Sequence, residues 1–219
     1  MYMPGHFREE RTHVLHDTIV RIGFGTLVTY GSDGLVATHL PIHLEPNEGP
    51  LGTLYGHIAR ANTQWKTSAK DIESLLSFTG PHAYISPSFY PSKRENGRKV
   101  PTWNYIAVQA YGAIETIEAP APLLGIVTRL TDKHEAGRPH PWRVDDAPPK
   151  YIEGLLRAIV GIRMPIARIE GKWKLGQNLS PADFEGAAAG LEASDTERER
   201  ELARIMRSLA APDAGGARS

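Results

Sequence analysis

The chain contains no cysteine. That absence excludes disulfides, thiolate nucleophiles and cysteine-ligated metals, and it agrees with a reducing compartment, so a cytoplasmic location is the expectation. An excess of either charge is missing too, since 25 Lys plus Arg balance 25 Asp plus Glu. No global field draws such a chain to nucleic acid or anionic lipid, and any DNA contact would need a local basic patch. No run approaches the ~20 apolar residues that cross a bilayer. The opening M-Y-M-P-G-H-F-R-E-E lacks the apolar stretch of a signal peptide. G-x-S-x-G and the glycine-rich phosphate loops are absent, and His134-Glu135 lacks the second histidine of H-E-x-x-H. His13 with His16, and His39 with His43, have no third partner in sequence, so no metal site is expected.

What is present is 41% apolar residues, enough for a sizeable core. Val14, Leu15, Thr18, Ile19 and Ile22 recur at helical spacing and predict an amphipathic helix over 8–22. A β-prone run at 25–30 leads into Gly31-Ser32-Asp33-Gly34, whose Asp-Gly pair predicts a tight hairpin with positive φ. On the following strand Val36, Thr38, Leu40, Ile42 and Leu44 share a core face, with Leu35, Ala37, His39, Pro41 and His43 opposite. Further on, a strand is expected over 51–58 and a short helix over 61–69. Two strands, 73–79 and 82–86, are expected to break at Gly80-Pro81, with a surface loop over 87–98. A long strand should run over 102–118 with a bulge at Gly112. Helices are expected from Pro120 to about His134 and over 151–159, joined by a proline-rich segment and packed together. A last strand is read at 164–169, a polar turn or strand continuation at 171–178, and a short helix at 181–191.

Ser194 and Glu197 read as a capping box for a final helix over 195–210, with Leu202, Ile205, Met206 and Leu209 on its apolar side. Residues 211–219 are small and polar and are expected to be disordered. Together the elements predict an α+β, mainly antiparallel barrel with helical additions over 1–192, without repeats or a linker between separate cores.

Several stretches carry a family likeness. M-Y-M-P-G-H-F, G-H-I-A-R-A-N-T-Q-W at 56–65 and F-T-G-P-H-A-Y-I-S-P-S-F-Y at 78–90 resemble motifs of the PaiB family of FMN-binding negative transcriptional regulators. So do V-P-T-W-N-Y at 100–105, L-T-D-K-H-E at 130–135 and G-K-W-K-L-G-Q-N at 171–178. This chain has Thr63, Phe89 and Gln109 where the family usually has Pro, Trp and His. The resemblance implies a split β-barrel similar to flavin reductases and pyridoxamine phosphate oxidases, a homodimer, and FMN held in grooves between subunits.

FMN needs donors for a dianionic phosphate and polar or stacking groups for its ring. His57, Arg60, Ala61 and Asn62, where a strand yields to a helix, supply such donors, and Arg60 is the leading phosphate ligand. The alternative is that Arg60 and Asn62 cap the helix and pair with a carboxylate, and that His57 is structural. The resemblance sets the backbone of Thr38, His39, Leu40 and Pro41 along the ring edge; His39 and His43 read equally as a solvated or dimer-facing side. Thr102, Trp103 and Asn104 start the long strand, with Trp103 equally suited to the core. Lys174, Gln177 and Asn178 are a polar group that relatives place across the subunit interface, or else a solvated turn. The implied function is a dimeric FMN-binding regulator, with direct DNA contact disfavoured because Glu197, Glu199 and Glu201 interleave with Arg198, Arg200, Arg204 and Arg207. A flavin-dependent oxidoreductase is the alternative.

Overall fold

The computed structural model describes residues 1–210, so the tail expected to be disordered lies outside the described residues. In chain order the elements are β1 (Arg8–Glu9), α1 (Thr12–Ile22), β2 (Phe24–Gly31), β3 (Gly34–Pro41), β4 (His43–Glu45), β5 (Thr53–Ala59), α2 (Gln64–Thr67), β6 (Ser74–Ile85) and α3 (Lys93–Asn96). They continue with β7 (Thr102–Gly112), β8 (Glu115–Ile117), α4 (Pro120–Glu135), α5 (Pro149–Leu156), β9 (Ile159–Pro165), β10 (Arg168–Lys174), α6 (Pro181–Glu192) and α7 (Glu197–Ala210). Contacts divide the chain into two compact units, one of residues 1–9, 79–107 and 171 onward, the other of 10–78 and 108–170. The residues of β6, β7 and β10 are divided between the two units.

The second unit holds an antiparallel sheet in the order β4-β5-β9-β8. It also holds the β2–β3 hairpin, with β2 paired to residues 75–77 of β6. α1 starts later than its apolar pattern suggests because 5–7 form a 3-10 turn and 8–9 a strand; it ends where Gly23 takes a left-handed φ of 62° and its N–H reaches Ile19 O at 2.8 Å. The expected core face is real, with Leu40, Ile42 and Leu44 buried and Leu35 75% exposed. Its strand is interrupted at Ile42, however, so β3 pairs with β2 while β4 joins the other sheet. At the hairpin only Gly34 has positive φ, so the turn uses one left-handed glycine rather than an Asp-Gly pair. Ile126 and Leu130 of α4 bury Tyr55 of β5, with Ile117 packed against them.

Glycine accounts for another departure. The strand read over 102–118 is two strands in different pairings, β7 and β8. A Cβ at Gly112 would lie 2.2 Å from the Pro165 carbonyl oxygen, so this glycine marks a close backbone crossing where the chain changes sheets, not a bulge. The strand read at 164–169 is likewise the end of β9 and the start of β10, turned at Ile166-Ala167. The expected break at Gly80-Pro81 is absent, since β6 is continuous. Pro81 lies past the stretch of β6 that pairs with β2, so its missing N–H removes no bond to that strand.

In the first unit β1 pairs with β10 (Arg8↔Lys172, Glu9↔Gly171). α6 begins at Ser180, whose hydroxyl accepts from Asp183 N–H at 3.3 Å, and Pro181 follows at the first helical position. α6 packs on α7 through Ala187, Ala188, Leu191, Leu202, Ala203 and Met206, all buried. Leu209, expected on that face, is 41% exposed. The capping box does not form. Ser194 instead accepts from Thr196 N–H at 3.1 Å and donates to Glu199, while Glu197 turns to Arg200 and Arg204.

Candidate functional site

In the second unit the turn after β5 is built around Asn62 and Gln64. Asn62 Nδ2 donates to Thr38 Oγ1 at 2.8 Å, and Asn62 Oδ1 accepts from Gln64 N–H at 3.0 Å. Gln64 is fully buried, and its amide donates to Leu27 O, Val36 O and Thr29 Oγ1 at 3.1–3.2 Å, fastening the turn to the hairpin. This glutamine was visible in N-T-Q-W, yet nothing in its type marks it as an anchor. The expected helix over 61–69 shrinks to the four residues of α2. What remains for an anion is the turn itself, where the N–H groups of Ala61 and Thr63 meet no acceptor among the described residues.

Arg60 Nε donates to Arg157 O at 2.9 Å, one terminal nitrogen to Ile159 O at 3.1 Å, and the other to Glu118 at 2.6 Å. Its guanidinium thus clamps the end of α5 and pairs with Glu118, which gives the carboxylate pairing of the alternative reading a partner that the sequence did not name. It remains 36% exposed, and two of its five N–H donors are uncommitted. Trp65 lies beneath it, 5.9 Å from the guanidinium carbon to the ring centroid.

The Thr38–Pro41 segment ends beside β5. A Cβ on Gly56 would lie 2.9 Å from Pro41 O, so a glycine is what lets the two strands approach. His39 is exposed, bonded to Thr26 Oγ1 at 2.9 Å and stacked near Phe24. Leu40 sends its side chain into the core, leaving only its backbone for a ligand. His57 is half-buried beside Pro41, and its Nδ1 is a buried atom with no partner among the described residues. Burial lowers its pKa.

In the first unit a cavity of about 290 Å³ gathers Thr102, Asn104, Lys174 and Asn178 with Phe7, Tyr90, Arg98 and Lys99. Lys174 Nζ donates to Thr102 Oγ1 at 2.6 Å and Trp103 O at 2.5 Å, and burial, then nearby Lys172, lowers its pKa. Asn104 is buried, its amide 3.7 Å from Met206 S. Trp103 is 46% exposed, so it is not core; its indole N–H donates to His82 Nδ1 at 3.2 Å. Gln177 is spent on the local turn, accepting from Leu175 N–H at 2.9 Å and donating to Trp173 O at 2.6 Å. The candidates therefore form two groups, one in each unit. Among the described residues no cluster of three His, Asp or Glu side chains is arranged to hold a metal.

The family described as "Putative FMN-binding domain" matches residues 1–168. The "Protease synthase and sporulation protein PAI 2" of Bacillus subtilis is 34% identical over 94% of this chain and 96% of its own length. The chain belongs to the FMN-binding PaiB family. An Aspergillus fumigatus protein is 35% identical over 79% of this chain and 82% of its own. Among solved structures, the FAD and heme binding protein of Mycobacterium smegmatis is 19% identical, with a TM-score of 0.57, covering 84% of this chain and 80% of that one. A flavocytochrome of Azotobacter vinelandii is 14% identical, with a TM-score of 0.58, covering 80% and 73%. The fold is the α+β split barrel, and the cofactor of this PaiB-type chain is FMN. In the second unit the groups available to an anion are donors. They are the amides of Ala61 and Thr63, in a turn that Asn62 and Gln64 brace, and the partly uncommitted guanidinium of neighbouring Arg60, a donor set of the kind an anionic group requires.

Proposed function

We propose that this PaiB-type chain works as a cytoplasmic homodimeric flavoprotein whose flavin state bears on gene expression. In this reading the turn from Arg60 to Thr63 takes the FMN phosphate, and the backbone of Thr38 to Pro41 lines the ring edge. The observation that carries it is the Asn62–Thr38 hydrogen bond, 2.8 Å, which ties the donor-rich turn to that strand. Bound FMN would supply hydride or electron transfer; the protein's own groups bind, orient and exclude water. Lys174, Thr102, Asn104 and Asn178 belong to the reading as a second polar group, and Gln177 as the brace of its turn.

Direct DNA contact through α7 has little support. Glu197 pairs with Arg200 and Arg204, and Glu185 and Glu192 with Arg207, so these cations are already engaged. The regulatory part of the reading rests on family membership and on the Bacillus relative, named for sporulation and protease synthesis.

Titrating the protein with FMN, followed by flavin absorbance and fluorescence, tests the reading. Binding in the micromolar range is expected, and Arg60→Ala should weaken it by roughly 1.5–3 kcal/mol, the worth of a charge-assisted contact. Unchanged affinity would remove Arg60 from the site. Adding NADH or NADPH anaerobically to the same sample separates the oxidoreductase alternative, since an enzyme of that kind bleaches the flavin.

A further inference from the structure

A second cavity, of about 310 Å³, lies within the second unit and is lined by Pro41, His57, Val127, Leu130, Thr131, His134, Glu135 and Trp142. It takes in the L-T-D-K-H-E segment, for which the phosphate turn and ring edge have no use. Its walls and its polar groups describe what it would hold.

Its exposed wall surface is mainly apolar. Val127 and Leu130 come from α4, and the Trp142 indole, 45% exposed, closes one side. Trp142 is placed there by Glu135, which accepts its backbone N–H at 3.0 Å and also holds Arg138, so the loop carrying the indole is fastened to the end of α4. A cavity of this size and lining suits one mono- or bicyclic aromatic ring system.

Its polar groups include donors that are not yet committed. His57 Nδ1 is buried with no partner, and an orphaned buried N–H is rarer than an unfilled acceptor, so the proton belongs on Nε2. Burial keeps the ring neutral. The Nε2–H of His57, the hydroxyl of Thr131 and the imidazole of His134 make no hydrogen bond among the described residues. The one carboxylate of the lining, Glu135, is engaged with the Trp142 N–H and Arg138. A ligand that brings oxygen acceptors can use these free donors, whereas the carboxylate that would favour a cation is already engaged.

We infer that this cavity is a binding site for a small planar aromatic molecule bearing carbonyl-type oxygens, held against Trp142 and accepting a hydrogen bond from His57 Nε2–H. Pro41 is shared between this cavity and the segment placed along the flavin's edge, so the ligand would sit beside the ring; that adjacency rests on the FMN reading, while the binding site does not.

Coumarin is a suitable probe, with 1,2-dihydronaphthalene as a bicycle of similar shape that lacks the oxygens. Titrations of the full chain, with and without saturating FMN, would follow tryptophan fluorescence and the ¹⁵N resonances of the histidine rings. Coumarin is expected to bind one to one, about five- to tenfold more tightly than the hydrocarbon, one net hydrogen bond's worth, and to shift the His57 Nε2 resonance. His57→Phe should erase the difference between the two probes, and Trp142→Ala should weaken both. Should His57→Phe fail to fold, the resonance shift and Trp142→Ala carry the test. Equal affinity for the two probes, absence of binding, or an unmoved His57 resonance overturns the inference. Displacement of coumarin by FMN overturns it also, because the cavity would then be part of the flavin site. FMN titration is read separately by flavin absorbance, so failure of one leaves the other standing.

Discussion

Asp183 shows how one buried side chain can set the behaviour of a region. Its carboxylate, 1% exposed, accepts from Ser92 N–H at 3.1 Å and Ser92 Oγ at 2.8 Å and pairs with Lys99 at 2.6 Å, tying both ends of the 92–99 segment to α6. The hydrogen bond from Lys99 is the largest influence on its pKa, which falls from 3.8 to about 2. A carboxylate depressed on folding stabilises the fold above its unfolded pKa, and that contribution is lost as pH falls from about 4 toward 2. Asp183→Asn should therefore lower stability at neutral pH by about 3 kcal/mol, since it leaves Lys99 partly buried without its counter-ion. The cost should shrink in the same acid range. Denaturant melts of both proteins at pH 7 and near pH 3 check this, and a pH-independent difference would mean that packing, not charge, makes the contact. Sequence alone pointed to Lys174 and Asn178 nearby but not to Asp183, which sits in an alanine-rich helix beside a proline and looks like an ordinary first-turn acid.

At the scale of elements, legibility divides by the range of the interaction that decides each one. The α1 face, the β2–β3 hairpin, α4 and α6 follow from local spacing, capping and turn residues, and all were readable. The wrong boundaries cluster where a distant backbone decides. Gly112 carries no local sign that Pro165 O will approach it, and Pro81 none that the stretch of β6 paired with β2 has already ended. The site divides the same way. Arg60 and Asn62 stood out through their motif, whereas Glu118 and Arg157, which hold Arg60, come from segments about 58 and 97 residues away. Two glycines test the distinction. Gly112→Ala forces a methyl onto a carbonyl 2.2 Å away and should cost roughly 2–3 kcal/mol. Gly125→Ala, mid-way along α4 with nothing within 4 Å of where the added methyl would sit, should instead stabilise by roughly 0.5–1 kcal/mol. Thermal melts with shifts of the same sign would show that helix propensity and close approach have been confused.

For the whole molecule, the strongest pointer to self-association is one face of the β2–β3 hairpin. Register pairs Phe24 with Pro41, Thr26 with His39, Val28 with Ala37 and Tyr30 with Leu35. Alternation turns these pairs outward, and Phe24, Tyr30 and Leu35 are 56%, 51% and 75% exposed. A row of exposed apolar side chains, broken only by the hydrogen-bonded Thr26–His39 pair, is the kind of face that marks an interaction surface on a monomer. Zero net charge means that two copies face no long-range repulsion. A stable interface needs about 800 Å² from each partner, more than this row supplies alone, so the interface would extend beyond it. Since the same strand carries Thr38 to Pro41, a second copy on this face would also lie next to the proposed flavin edge. Leu35→Lys places a charge in the row where the monomer has only solvent, so monomer stability should change by less than about 0.5 kcal/mol. Light scattering at micromolar concentration should show a dimer for the natural chain and a monomer for the variant, with FMN binding at least tenfold weaker in the latter if both copies contact the cofactor. A variant that remains dimeric would place the interface elsewhere, and a dimer lost with FMN affinity intact would place the flavin within one subunit.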